Sequence, residues 1–203
     1  NNSQQITSKD ALGNTTTYSY DQNGRLKTVH DPENNFVVNG YDKVGNLSYK
    51  VDENGNTTYY SYDEYGNLLS VTNPLNEITS YTYDGNGNTL SQTDASGNTM
   101  FFEYNAFNQK VKTIYPGGRT GIHGNYTYDS TKVESYTYSP NGNKLSQTDR
   151  NGNTTEYTYD VHGRLLSTVC GGASISYSYD NNGNMISMTD NTGTTTKTYD
   201  AFG

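Results

Sequence analysis

Tyrosines two residues apart recur along the chain: Tyr18/Tyr20, Tyr60/Tyr62, Tyr81/Tyr83, Tyr126/Tyr128, Tyr136/Tyr138, Tyr157/Tyr159 and Tyr177/Tyr179. Side chains at i and i+2 leave a strand on the same face, so each pair predicts a β-strand and the set predicts an aromatic ladder across a sheet. Thr and Ser occupy the positions between, as in residues 15–20, a composition that suits a pleated, half-wet surface better than a helix. A second kind of strand starts at Leu26, Leu47, Leu68, Leu90, Leu145 and Leu165. Its apolar positions change parity: under strict alternation Leu26 and Val29 fall on opposite faces, whereas Leu69 and Val71 share one. Both faces are therefore expected to be mixed, and the pattern leaves open which face points inward.

The period is regular. Tyr20, Tyr41, Tyr62, Tyr83 and Tyr104 are each 21 residues apart, and the series resumes at Tyr128, Tyr138, Tyr159, Tyr179 and Tyr199. Each period carries the four-residue punctuation Asp-x-x-Gly twice, as in Asp42–Gly45 and Asp52–Gly55; Asp63–Gly66, Asp84–Gly87, Asp149–Gly152 and Asp160–Gly163 are further copies. This is the chemistry of a type I turn followed by a left-handed residue: Asp accepts from a backbone N–H two residues on, and Gly takes positive φ without a Cβ clash. Pro32, Pro74, Pro116 and Pro140 all fall at the second turn position, where φ near −65° is required anyway. Where the fourth-position Gly is missing, Asn34, Asn76 and Asn108 replace it, and Asn is the next most tolerant of positive φ. The six or seven residues between turns make strands of roughly 20 Å and leave no room for helices.

The fold class expected is all-β: tandem hairpins in an antiparallel meander of about eighteen strands, a ribbon that twist would curl into a spiral or partial shell. Residues 1–203 read as one repeat array, with an irregular insertion at about 115–129. That insertion holds four glycines in PGGRTGIHG, and its candidate role is a partner contact through Arg119 and His123.

Composition narrows the function. Only 30% of residues are hydrophobic, Trp is absent, and 21 Tyr stand against five Phe, so most large apolar surface carries a hydroxyl that needs water or a partner. A net charge of −8 with no basic cluster argues against nucleic acid. Cys170 alone supports neither a disulfide framework nor a cysteine zinc site. No run approaches a membrane helix in length, and the opening NNSQQITSKD has no signal-peptide pattern. His30, His123 and His162 lack metal-ligand spacing, and Asp21, Asp52 and Asp180 open loops without the Glu that closes a calcium-binding hand. No metal, cofactor or catalytic constellation is expected, and the chain reads as a non-enzyme.

The segments YSYDQNGRL (Tyr18–Leu26) and YTYDVHGRLLSTV (Tyr157–Val169) resemble the YD repeats of Rhs proteins, related to those of teneurins and of the C components of insecticidal toxin complexes. The resemblance spans nearly the whole chain. It implies a β-ribbon spiralling into a hollow shell that, in many members, encloses a toxic C-terminal domain, and it implies a secreted or cell-surface parent protein. The family's Gly-Arg after the turn is kept only at Arg25 and Arg164, with Asn46, Asn67, Asn88, Asn143 and Asn184 elsewhere, which removes whatever the arginine pairs with. The family's core segment with its Asp-Pro cleavage motif is missing from this sequence, as is a terminal toxin domain.

The resulting expectation is a structural scaffold whose partners are neighbouring repeats and an enclosed effector domain. The alternative is a carbohydrate- or cell-surface-binding module using exposed tyrosines. Weak edge-to-edge self-association is expected through terminal strands placed near Thr15–Tyr20 and Thr194–Tyr199.

Overall fold

The computed structural model describes residues 5–123 and 125–200. The chain divides into two compact units, residues 1–98 and 99–203. The first holds nine strands: β1 (Gln5–Lys9), β2 (Thr15–Tyr20), β3 (Leu26–His30), β4 (Phe36–Tyr41), β5 (Leu47–Val51), β6 (Thr57–Tyr62), β7 (Leu68–Thr72), β8 (Ile78–Tyr83) and β9 (Thr89–Thr93). Each pairs antiparallel with the next in sequence, the simplest meander. The edge at Thr15–Tyr20 expected from sequence is not an edge, because Gln5–Lys9 pairs along its full length from Gln5↔Ser19 to Lys9↔Thr15.

The second unit holds β10 (Thr99–Tyr104), β11 (Lys110–Ile114), β12 (Arg119–Ile122), β13 (Asn125–Tyr128), β14 (Val133–Tyr138), β15 (Lys144–Thr148), β16 (Thr154–Tyr159), β17 (Leu165–Cys170), β18 (Ala173–Tyr179), β19 (Met185–Asp190) and β20 (Gly193–Thr196). The meander again follows chain order, except that β11 pairs directly with β14 while β12 and β13 form a separate hairpin. A single 3₁₀ turn at Ser130–Lys132, capped by Asp129, leads back into β14. Among the described residues no helix is long and apolar enough to cross a membrane.

The turns carry their strain where the residue types allow it. Gly55, Gly66, Gly87, Gly152 and Gly163 have φ of +79° to +85° and Gly45 has +114°, while Asn34, Asn76 and Asn108 lie between +60° and +69°. In the turns that open with Asp the carboxylate closes the loop: at Asp52, Oδ1 accepts from the N–H groups of Asn54 and Asn56, and Oδ2 from the Asn56 side chain. The turn at Pro116 differs. Its left-handed residue is Gly117, at the third position, the arrangement of a type II turn. At Gly171–Gly172 both residues have positive φ in a two-residue loop between Cys170 and Ala173. That tighter turn, with another at Asn191–Thr192, shortens the period from 21 to 20 residues near the C-terminus.

The parity change in the Leu strands has a structural cause. Each hairpin from a Tyr strand to a Leu strand contains a β-bulge: Tyr18 opposes Val29 and Tyr20 opposes Leu26, so two steps on one strand match three on the other. Leu26 and Val29 therefore share the tyrosine face, not opposite faces as alternation predicts. The same holds for Leu68 and Val71 against Tyr62 and Tyr60, and Leu69, in the bulge, is left 38% exposed. Leu90 and Leu145 occupy the Leu69 position. The residues opposing Tyr83 and Tyr138 are Thr89 and Lys144, one place earlier than sequence indicated.

Candidate functional site: the seams between repeats and the inserted hairpin

With the bulge counted, the two faces separate by chemistry. In each unit one carries the tyrosine pairs: Tyr18/Tyr20 and Tyr60/Tyr62 oppose Val and Leu, Tyr81/Tyr83 oppose Gln92 and Thr89, Tyr157/Tyr159 oppose Thr168 and Leu165, and Tyr177/Tyr179 oppose Met188 and Met185. The other carries cross-strand hydroxyl pairs: Ser19–Thr28 at 2.5 Å, Thr82–Ser91 and Ser178–Ser187 at 2.6 Å, and Ser61–Ser70, Thr137–Ser146 and Thr158–Ser167 at 2.7 Å. This hydroxyl ladder escaped sequence reasoning, although a Ser or Thr between the two tyrosines of each pair is its signal.

The bulge creates a polar problem at the seams between repeats, and at several of them a tyrosine solves it. Pairing between β3 and β4 runs from His30↔Phe36 only as far as Thr28↔Val38, short of Leu26. The Leu26 carbonyl accepts instead from the Tyr41 hydroxyl at 2.9 Å and the Asn39 side chain at 3.1 Å. The bond recurs as Tyr83 to Leu68 at 2.8 Å, Tyr138 to Lys110 and Tyr179 to Leu165 at 2.9 Å, and Tyr199 to Met185 at 3.0 Å. Each joins one repeat to the repeat before it. A carbonyl left without a ladder partner is costly, so a hydroxylated aromatic is required where phenylalanine would fill the same space.

The arginine positions show what the retained Gly-Arg does. Arg25 Nε meets Asp21 at 2.6 Å, and its guanidinium lies 4.5 Å from the ring centroid of Tyr41 in the next repeat. Arg164 repeats this with Asp160 at 2.6 Å and Tyr179 at 4.8 Å, and donates to the Asp180 carbonyl at 3.2 Å. Asn46, Asn67 and Asn88 keep the bond to their own turn aspartates. They are too short to stack on the following tyrosine, so the arginine adds a clamp between repeats that asparagine lacks.

At Gly40 the hydroxyl ladder is interrupted. Gly40 opposes Tyr49, whose ring fills the space a side chain would take: a Cβ on Gly40 would overlap Tyr49 Cε1. Tyr49 in turn opposes Tyr59, with ring centroids 6.4 Å apart, and Tyr59 is 55% exposed.

The inserted hairpin folds back on the hydroxyl face. Arg119 is held between the rings of Phe101 at 3.4 Å and Tyr126 at 4.1 Å, so its guanidinium faces the sheet and is not displayed at the tip. His123 is exposed at the tip, edge-on to Tyr126 at 6.2 Å. Beneath the hairpin the hydroxyl pair is replaced by an ion pair, Lys112 to Glu103 at 2.9 Å. Tyr128 donates to Glu103 and lies under the Lys112 ammonium at 4.1 Å. Burial, and then the Glu103 carboxylate, push the Tyr128 hydroxyl up to about 12. Ile114, at 0% exposure, is the one buried hydrophobic side chain among the described residues, and Thr113 beside it is 4% exposed. The insertion thus gives this otherwise half-wet sheet a local core. Cys170 is exposed, and no group of three or more His, Cys, Asp or Glu among the described residues could hold a metal.

These features repeat with the period, and so does the family match. The RHS Repeat family matches residues 1–35, 41–78, 62–99, 83–120 and 138–174. The chain belongs to the RHS repeat family. No curated protein sequence matches it. Among solved structures it is similar to the crystal structure of TcdB2-TccC3-TEV, with a TM-score of 0.67 and 21% identity over 92% of this chain. TcdB2-TccC3 without its hypervariable C-terminal region gives the same values. The Photorhabdus luminescens Tc holotoxin pore, carrying a TccC3 mutation, matches at a TM-score of 0.58 and 15% identity over 93% of this chain. Such identities establish likeness of fold alone. This RHS-repeat chain spans 11% to 12% of the length of those chains.

Proposed function

We propose that this RHS-repeat array is a stretch of structural wall in a hollow β-shell that encloses or presents an effector domain of its parent protein. The observation that carries the reading is the seam bond from a tyrosine hydroxyl to a carbonyl one repeat earlier, made by Tyr41, Tyr83, Tyr138, Tyr179 and Tyr199. Side-chain chemistry here is spent on holding neighbours in register, as an array whose repeats contact chiefly their neighbours requires. The family match and the likeness to toxin-complex folds support the same reading, together with a secreted or surface-exposed parent and a non-enzymatic role for this segment. Electron microscopy of the parent protein tests it. A hollow particle whose effector region resists protease until the shell is opened is the expected result; a solid particle, or an effector cleaved at once, overturns it.

A second reading, carbohydrate or cell-surface binding, is favoured by the exposed ring of Tyr59 beside Tyr49, since sugars stack on such rings. Binding of the 203-residue chain to a glycan array, lost in Tyr59→Ser, separates it from the scaffold reading.

A further inference from the structure

Beside the inserted hairpin the hydroxyl face is hollowed into a groove of about 390 Å³. Its floor is Val133, Ser135 and Thr148, and Tyr128 walls one side. The turn Asp149–Gly152, carrying Arg150, walls the other. That volume lies in the range of small-ligand sites. The groove exists because the hairpin covers β10 and β11 but stops short of β15.

Charge in the groove is distributed unevenly. Asp149 is engaged by its own turn, accepting from the N–H groups of Asn151 and Asn153 and from the Asn153 side chain. Glu103 is held by Lys112 and Tyr128. Arg150 forms no ion pair with a carboxylate among the described residues; its guanidinium is steadied by stacking 4.3 Å from the Tyr115 centroid. A planar cation fixed by stacking, with its donors unspent, is suited to a carboxylate taken by two parallel hydrogen bonds. The floor adds the hydroxyl of Ser135 and that of Thr148, which is shared with the Thr154 hydroxyl at 2.9 Å, and Tyr128 and Val133 add apolar surface. Lys112 also lines the groove but is paired with Glu103, so hydroxyls, a ring face and one cation without a carboxylate partner together match a ring rich in hydroxyls that bears a single carboxylate.

We propose that this groove binds a uronic-acid sugar, its carboxylate on Arg150 and its ring hydroxyls on Ser135 and Thr148. The proposal rests on the carbohydrate reading and gives it a ligand class and a place; it is independent of the shell reading.

Calorimetric titration of the 203-residue chain at neutral pH with digalacturonate, cellobiose and acetate tests it. Digalacturonate is expected to bind with saturable heat, and cellobiose and acetate at least about tenfold more weakly. Arg150→Gln should lower digalacturonate affinity about tenfold or more and Arg150→Lys less, while Thr148→Val weakens it without abolishing it. Arg150 is exposed at a turn, so these variants should keep the parent circular dichroism spectrum. Equal binding of cellobiose overturns the acidic-sugar assignment while leaving the carbohydrate reading standing. Equal binding of acetate overturns the sugar. No saturable heat with digalacturonate, or an unchanged affinity in folded Arg150→Gln, overturns the site.

Discussion

The Tyr83 hydroxyl donates to the carbonyl oxygen of Leu68 at 2.8 Å, and this bond ties a Tyr strand to the bulge of the preceding hairpin. Tyr83→Phe keeps the ring but leaves the carbonyl without its partner. A loss of about 1 kcal/mol is expected in urea denaturation. Tyr81→Phe is the control, because the Tyr81 hydroxyl makes no such seam bond; equal losses in the two variants would show that the seam contributes nothing specific.

Gly55 has φ +81° and open space where a Cβ would project, so any penalty on substitution is conformational. Gly55→Val should cost roughly 1–2 kcal/mol, since a β-branched side chain is forced into the left-handed region, and Gly55→Asn should cost less. Thermal melts of the two variants check the order, with matching melting temperatures counting against it.

Gly40 and Tyr49 form a size-matched exception to the hydroxyl ladder. Gly40→Ser alone should destabilise, because its Cβ meets the ring, and Tyr49→Thr added to it should recover stability by remaking the pair seen at Ser61–Ser70. A double-mutant cycle reads this directly. Additive effects would mean the ring moves aside freely.

The turn aspartates set the acid limit. At Asp94 the Asn98 side chain and then the Asn98 backbone N–H hold the carboxyl below its ordinary range, and at Asp63 the Asn67 side chain does the same. A carboxyl whose folded pKa lies below its unfolded value, about 3.9, stabilises the fold above that value and ceases to do so as pH falls through the folded value. The urea midpoint should therefore be level from pH 7 to about 5 and fall below about 4. A midpoint unchanged to pH 2 would place the aspartates outside the turn bonds.

Self-association should be weak and promoted by salt. The strands at issue are β1 and β20, and the latter is exposed throughout with no Pro or charge to blunt it. The net charge of −8 opposes approach at low salt. Sedimentation over a concentration series at two salt concentrations should show reversible association that rises with both; a monomer throughout would contradict it.

What could be read from sequence followed the range of the interaction. Asp52 and Gly55 act within four residues, so their turn was legible. The bulge at Lys27 depends on how β3 aligns with β2, and nothing inside β3 announces it, which is why Leu26 and Val29 fell on the wrong faces by simple alternation. Arg119 looked like an outward contact because its ring partner Phe101 lies far back in the chain. The two-residue turn at Gly171–Gly172 was visible only as a missing residue in the period.

The seam bonds also give the array a direction. Tyr41, Tyr83, Tyr138 and Tyr179 each reach back to the repeat made before them, as a course of roof shingles is pinned by the course laid next. A chain emerging from the ribosome would seal each hairpin as its successor arrives, and unravelling should start from the last-made side, where the most recent hairpin waits for its fastener.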